Sequence, residues 1–327
     1  MVSITPSTAL RPFRKGDQFD LPVPGIQYYP EHPLIKQLNE ACTHEELGNI
    51  QALVARWQQG RPASPPRGPP HYPMGTLEPT LFHAIRSDRA DVVNYLLDEG
   101  VKFSGLSLAE AVTSQASPAM WQVFLDHGLD INAPLEDAGT SPLGYILLRE
   151  DLIRWFLERG ADPNAESSFG LTPFLRAVGH APLSTVALLH AAGGSVAIAV
   201  PFVCSPWPPN LTVSDPSQSE LNSDERLAVL RYLLDAGANP DAPKWAHNSR
   251  GYGSDFDWGS ALNTALTNGS HRLAEELLRH GARTDVPTMN IASRGETALE
   301  IAQKYAPNMV PFIMECGMAR VVGEVYP

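Results

Sequence analysis

The sequence predicts an all-α protein built from stacked repeats, each a pair of short helices closed by a tight turn. Three observations predict it. First, two bulky apolar residues, two variable residues and a glycine recur along the chain. The clear copies are Leu96-Leu97-Asp98-Glu99-Gly100, Phe124-Leu125-Asp126-His127-Gly128, Phe156-Leu157-Glu158-Arg159-Gly160, Leu233-Leu234-Asp235-Ala236-Gly237 and Leu277-Leu278-Arg279-His280-Gly281, with weaker copies ending at Gly60, Gly193 and Gly317. Their spacing scatters around roughly 33 residues, which implies a solenoid of about seven or eight units. Second, tetrads rich in Asp, Asn and Pro follow, such as Asp130-Ile131-Asn132-Ala133, Asp162-Pro163-Asn164-Ala165 and Asn239-Pro240-Asp241-Ala242. Third, Ser141-Pro142 and Thr172-Pro173 stand where a first helix should open.

Each observation has a physical reading. A glycine after the last apolar residue of a helix is the expected left-handed cap, because it has no Cβ to clash. Asp and Asn side chains bond the backbone two residues on, and Pro presets φ, so the tetrads suit tight turns. A hydroxyl at the N-cap with Pro at the first helical position starts a helix where no N–H is needed. Each helix pair carries apolar residues on both helices and cannot bury them alone, so neighbouring units must stack. Ser141 to Ala165 reads as one complete, regular unit: turn, short helix, second helix, polar turn.

These phrases resemble the ankyrin repeat. The family pattern Gly-x-Thr-Pro-Leu-His-x-Ala followed by Leu-Leu-x-x-Gly-Ala is echoed by Gly139-Thr140-Ser141-Pro142-Leu143, Gly170-Leu171-Thr172-Pro173-Phe174-Leu175-Arg176-Ala177, Gly259-Ser260-Ala261-Leu262-Asn263-Thr264-Ala265 and Gly295-Glu296-Thr297-Ala298-Leu299-Glu300-Ile301-Ala302. The family histidine is replaced by Phe82, Gly144, Leu175, Asn263 and Glu300. The resemblance spans roughly residues 34 to 317. It implies short hairpin fingers between units and a concave groove lined by the last turns of the first helices.

Along the chain, residues 1–33 are proline-rich without helical period and read as an extended N-terminal arm. Residues 34–327 read as a single repeat domain. Leu34 to Gly60 is a polar first pair, as an end cap should be. A Pro-rich insertion covers 61–75, and the most regular stacking is expected from 76 to 193. Further insertions are expected at about 200–222 and 243–258, with a first helix over Val196 to Val203 that contains Pro201. The function is expected where the regular beat breaks, between Gly193 and Gly259, and not in the regular unit Ser141 to Ala165.

Composition narrows the function. Of 327 residues, 24 are Lys or Arg and 36 are Asp or Glu, giving a net charge of −12. That excess of carboxylates argues against a phosphate-binding groove, whose affinity rests on Lys and Arg. Cys42, Cys204 and Cys316 have neither metal spacing nor an even disulfide framework, so reduced thiols and a cytoplasmic or nuclear location are expected. No signal-peptide pattern or membrane-spanning run is read. No metal, cofactor or nucleotide motif is found.

The candidate site residues fall in two groups. The insertion between 243 and 258 gathers Trp245, His247, Tyr252, Asp255, Asp257 and Trp258, and Trp207 lies in the insertion before it. Aromatics anchor interfaces because they bury much area at modest entropy cost. The resemblance places Arg86, Arg149, His180 and Asn268 on the concave face. The leading expectation is an intracellular, monomeric scaffold that recognises a protein or peptide through its groove and insertion loops. The alternative is a cofactor-independent cyclase, isomerase or dehydratase acting on an apolar small molecule, with a pocket roofed by the insertions. His180, Arg149, Arg176 and Asp257 are its candidate catalytic groups.

Overall fold

The computed structural model describes residues 32–60, 74–135, 139–204, 223–244, 259–288 and 295–322. Among them are fifteen α-helices and no β-strand. The first unit pairs α1 (Pro33–His44) with α2 (Leu47–Gln59), the second α3 (Glu78–Arg86) with α4 (Ala90–Asp98), and the third α5 (Gly105–Thr113) with α6 (Pro118–Asp126). The fourth pairs a single 3-10 turn, Pro142–Tyr145, with α7 (Glu150–Glu158). Then follow α8 (Pro173–His180) with α9 (Leu183–Ala191), α10 (Val200–Cys204) with α11 (Ser223–Asp235), α12 (Ala261–Thr267) with α13 (His271–Arg279), and α14 (Ala298–Tyr305) with α15 (Val310–Val322). This is the all-α stack of helix pairs that the repeats predict.

The pairs form two layers. In the first, α1 packs on α3, α3 on α5, α5 on the 3-10 turn, the turn on α8, α8 on α10, α10 on α12 and α12 on α14. In the second, α2 packs on α4, α4 on α6, α9 on α11, α11 on α13 and α13 on α15. The core lies between the layers and repeats with them. Helix α4 buries Val92, Val93, Leu96 and Leu97, α7 buries Leu152, Ile153 and Phe156, and α13 buries Leu273, Ala274, Leu277 and Leu278. These residues share one stripe of a 3.6-residue helix. Each large side chain taken from water contributes about 1.5–3 kcal/mol.

The glycine caps hold where the beat is strong. Gly128 and Gly160 sit at φ 92° and 87°, and the four other clear or intermediate copies are likewise positive. At the end of α7, Gly160 N–H donates to Leu157 O (3.1 Å) and Ala161 N–H to Phe156 O (3.0 Å), which closes the helix in a Schellman turn. Gly60 and Gly317 differ. Gly60 has φ −97°, and Gly317 lies inside α15. After Gly317 come Met318-Ala319-Arg320 in place of an Asx-Pro tetrad, so nothing in the local sequence turns the helix away.

The turn tetrads do more than reverse the chain. Asp130 Oδ1 accepts from Asn132 N–H (2.9 Å) and Asp162 Oδ1 from Asn164 N–H (2.7 Å), as Asx turns do. Asn132 then reaches the next unit, donating from Nδ2 to Gly160 O (3.1 Å) and accepting from Asp162 N–H (2.8 Å). Asn164 repeats the clamp one unit on, with Gly193 O and Ser195 N–H both at 2.8 Å. Finger-like reversals follow: Leu135 N–H donates to Thr140 O (3.0 Å), Ser167 N–H to Leu171 O (3.0 Å) and Thr288 N–H to Glu296 O (2.8 Å).

Two expectations are corrected. The expected helix over 196–203 begins only at Val200, because Pro201 lacks an N–H and is tolerated in the first turn and not mid-helix. The insertion expected from about 200 therefore opens with helix α10, and the rest of it, 205–222, lies outside the described residues. More consequentially, Ser141 to Ala165 is the least regular unit described. Its first helix is one 3-10 turn, and Ser141 Oγ makes no capping bond and is buried without a partner. Gly144 takes the place that Leu175 fills in the next unit. A Cβ there would run into the Thr140 side chain and come within 3.3 Å of Pro173 Cα. The glycine lets the turn lie against the start of α8, and it lowers helix propensity by about 1 kcal/mol. Of the N-terminal arm expected at 1–33 and the insertion expected at 61–75, residues 1–31 and 61–73 lie outside the described residues, while Pro33 already opens α1 and Met74–Leu77 form a 3-10 turn.

Candidate binding site

The shortened fourth unit leaves a cavity of about 250 Å³ between itself and the third. Ala111, Val112 and Ala116, at the end of α5 and just beyond it, face Ile146, Leu148 and Leu152. Trp121 and Tyr145, 0% and 1% exposed, close the inner end. Leu148 stands at the mouth with 50% of its surface in water, where Gln115 and Arg149 complete the rim. A large apolar side chain held out beside a cavity is the feature that sequence reasoning missed. The signal available was Gly144, a poor helix former in the second turn of an otherwise helical phrase.

The rim is rigidly built. Gln115 sits in a loop at φ 56°, as does Asp88 one unit earlier at φ 52°, both in the left-handed region. Arg149 forks onto Asp151, with Nε to Oδ1 at 3.0 Å and Nη2 to Oδ2 at 2.8 Å. Its Nη1 reaches Gln115 O at 3.4 Å across the unit boundary. Arg89 does the same, forking onto Asp91 and donating to Glu45 O (2.9 Å) in the unit before. These hydrogen bonds hold the Asp91 and Asp151 carboxyls below their ordinary range and the two guanidinium groups above theirs. Arg149 is thus a splice between units.

Arg86, Asn268 and Arg176 also have structural partners. Arg86 Nε pairs with Glu110 Oε1 of the next unit at 2.8 Å. Asn268 Nδ2 donates to Cys204 O at 3.2 Å, tying the loop after α12 to the end of α10. Arg176 is 2% exposed, and its guanidinium lies 4.5 Å over the Tyr145 ring, a cation–π contact. His180 ends α8 and is half-buried, on the same helix face as Arg176 one turn earlier. Trp207, Trp245, His247, Tyr252, Asp255, Asp257 and Trp258 lie outside the described residues.

The remaining titratable groups bind units together. His127 Nε2 lies 3.0 Å from Asn94 Oδ1, and His190 Nδ1 2.8 Å from Tyr232 OH. Arg231 pairs with the buried Glu276 at 2.8 Å, which holds that carboxyl below its usual value. Burial, opposed by a nearby arginine, pushes the Cys42 and Cys204 thiols up to about 12, so neither is a nucleophile at neutral pH. Burial also lowers His83 from its ordinary value. Among the described residues no cluster of three or more His, Cys, Asp or Glu could hold a metal ion. None of their helices is long and apolar enough to cross a membrane.

No protein-family model matches the chain, and no curated protein matches it. Among solved structures it is similar to the ankyrin repeat domain of Bcl-3, described as a unique member of the IkappaB protein family, at 19% identity over 85% of this chain and 97% of that one, with a TM-score of 0.38. That overlap is loose. The helix pairs, left-handed glycine caps and Asx clamps of the chain's own structure are what make it a stack of helical repeats.

Proposed function

We propose that this chain is an intracellular binding scaffold that recognises a protein or peptide through the face formed by its first helices and inter-helix loops. The observation that carries the reading is the use made of its polar groups. Arg86, Arg149, Arg176 and Asn268 are each engaged within the chain, mostly across unit boundaries. Such engagement builds a stiff, preorganised surface, which lowers the entropic cost of association. Among the described residues it does not bring an acid, a base and an oxyanion donor together, as a cofactor-free lyase or isomerase would require. With a net charge of −12, the surface suits neutral or basic partners and disfavours nucleic acid.

Selection of a displayed random-peptide library on the full chain tests the reading. Enriched peptides should bind at about micromolar concentrations. Enriched basic peptides should bind more tightly when Arg86→Glu replaces a cation on the exposed end of α3. A selection that enriches nothing above an unrelated helical protein would remove the basis for the scaffold reading.

A further inference from the structure

We infer that the cavity between units three and four is an anchor pocket for one apolar side chain of a partner peptide whose flanking residues are basic. The inference rests on the scaffold reading and gives it a place and a chemistry.

Size decides the first part. Pockets for whole organic ligands run from about 300 to 1,000 Å³, and this one holds about 250 Å³. It suits one large side chain better than a free molecule. The walls decide the second. Ala111, Val112, Ile146 and Leu152 offer only hydrocarbon, and Arg149, the cation among the described lining residues, is already forked onto Asp151. Leu148, half in water, would be covered by the same event that fills the pocket, and covering apolar surface drives association. Buried anchors in such pockets carry most of the energy of peptide interfaces.

Charge decides the flanks. Two carboxylates stand around Arg149. Asp151 is 65% exposed, and Asp88 accepts from Ser117 N–H (2.9 Å) just beyond the Gln115-Ala116 lip. One guanidinium against two carboxylates leaves a negative edge, on a chain whose total charge is −12. Lys or Arg beside the anchor would meet it, and potentials of opposite sign speed and orient encounter.

The test uses the full chain and short synthetic peptides carrying one central Leu, Met or Phe between Lys, Gln or Glu flanks, read by fluorescence anisotropy. Lys-flanked peptides should bind about tenfold tighter than Glu-flanked ones, and a central Ser should abolish binding. Leu148→Asp, at an exposed position, should weaken binding about tenfold with an unchanged melting temperature. Ala116→Leu should fill the cavity and do the same; if it fails to fold, Leu148→Asp and the peptide series still decide. Peptides that bind both variants as they bind the parent, or bind without regard to the central residue or flanking charge, would overturn the pocket while leaving the scaffold reading intact. If neither this series nor the displayed library yields any binder, both fall together.

Discussion

Pro142-Leu143-Gly144-Tyr145 and Pro173-Phe174-Leu175-Arg176 occupy the same place in consecutive units, yet the first makes one 3-10 turn and the second opens an eight-residue helix. In the fifth unit Thr172 Oγ1 accepts from Leu175 N–H at 3.1 Å, and Pro173 to Gly179 are all buried. In the fourth, the equivalent Ser141 caps nothing, Gly144 replaces the leucine, and a cavity opens beside the turn. A good start signal does not make a helix when its second turn cannot hold one. The lost turn does not unfold the unit, because Tyr145 is sandwiched under Arg176 and Leu147 O accepts from Thr185 Oγ1 (2.9 Å) of the next unit. Neighbours supply the order that local propensity withholds.

The contrast can be tested at five positions, by thermal or denaturant unfolding of the full chain. Phe174→Ala, in the well-packed unit, should cost about 3–5 kcal/mol, because Phe174 is fully buried and its loss leaves a cavity. Gly160→Val should cost about 1–3 kcal/mol for conformation alone, since a β-branched residue is forced to φ 87° while its Cβ meets no atom. An unchanged melting temperature there would show that the cap is not obligatory. Thr172→Ala should cost about 1 kcal/mol for the lost N-cap, whereas Ser141→Ala should be neutral or slightly stabilising, because its buried hydroxyl has no partner to lose. Equal effects of the two would erase the distinction between the units. Gln115→Gly should bring a gain of a few tenths to about 1 kcal/mol as left-handed strain at φ 56° is relieved. A loss would mean that its side chain supports the rim.

What was legible in the sequence follows the same line. The Leu-Leu-x-x-Gly phrases placed the second helices because their information is local: an apolar stripe and a residue free to adopt positive φ. The Asx tetrads announced turns for the same reason. The expectation that individuality would lie between Gly193 and Gly259 falls partly on undescribed residues, while a distinctive cavity appears in the unit expected to be regular. Its cause is a packing event between units, Gly144 against Pro173, which no single window contains. Arg149 and Arg176 were readable as candidate polar groups. The reach of Arg149 to Gln115 O and the burial of Arg176 over Tyr145 depend on partners placed by the stack. The repeated Arg-x-Asp spacing at Arg89-Ala90-Asp91 and Arg149-Glu150-Asp151 was the one visible hint that the arginine had a building role.

The Asn132 and Asn164 clamps give the stack a mechanical grammar. Each amide grips both the carbonyl of the following unit's glycine cap and the N–H two residues beyond it. A unit so gripped cannot let its second helix fray without also releasing its predecessor's turn. Nearest-neighbour coupling of this kind makes a repeat array unfold in blocks and not one unit at a time. The fourth unit, weakest in its own sequence, is gripped by Asn132 from one side and grips onward through its own Asn164. It therefore behaves as a shim held between stiffer plates: removable only with them, and free to keep a hollow that a self-sufficient unit would have filled.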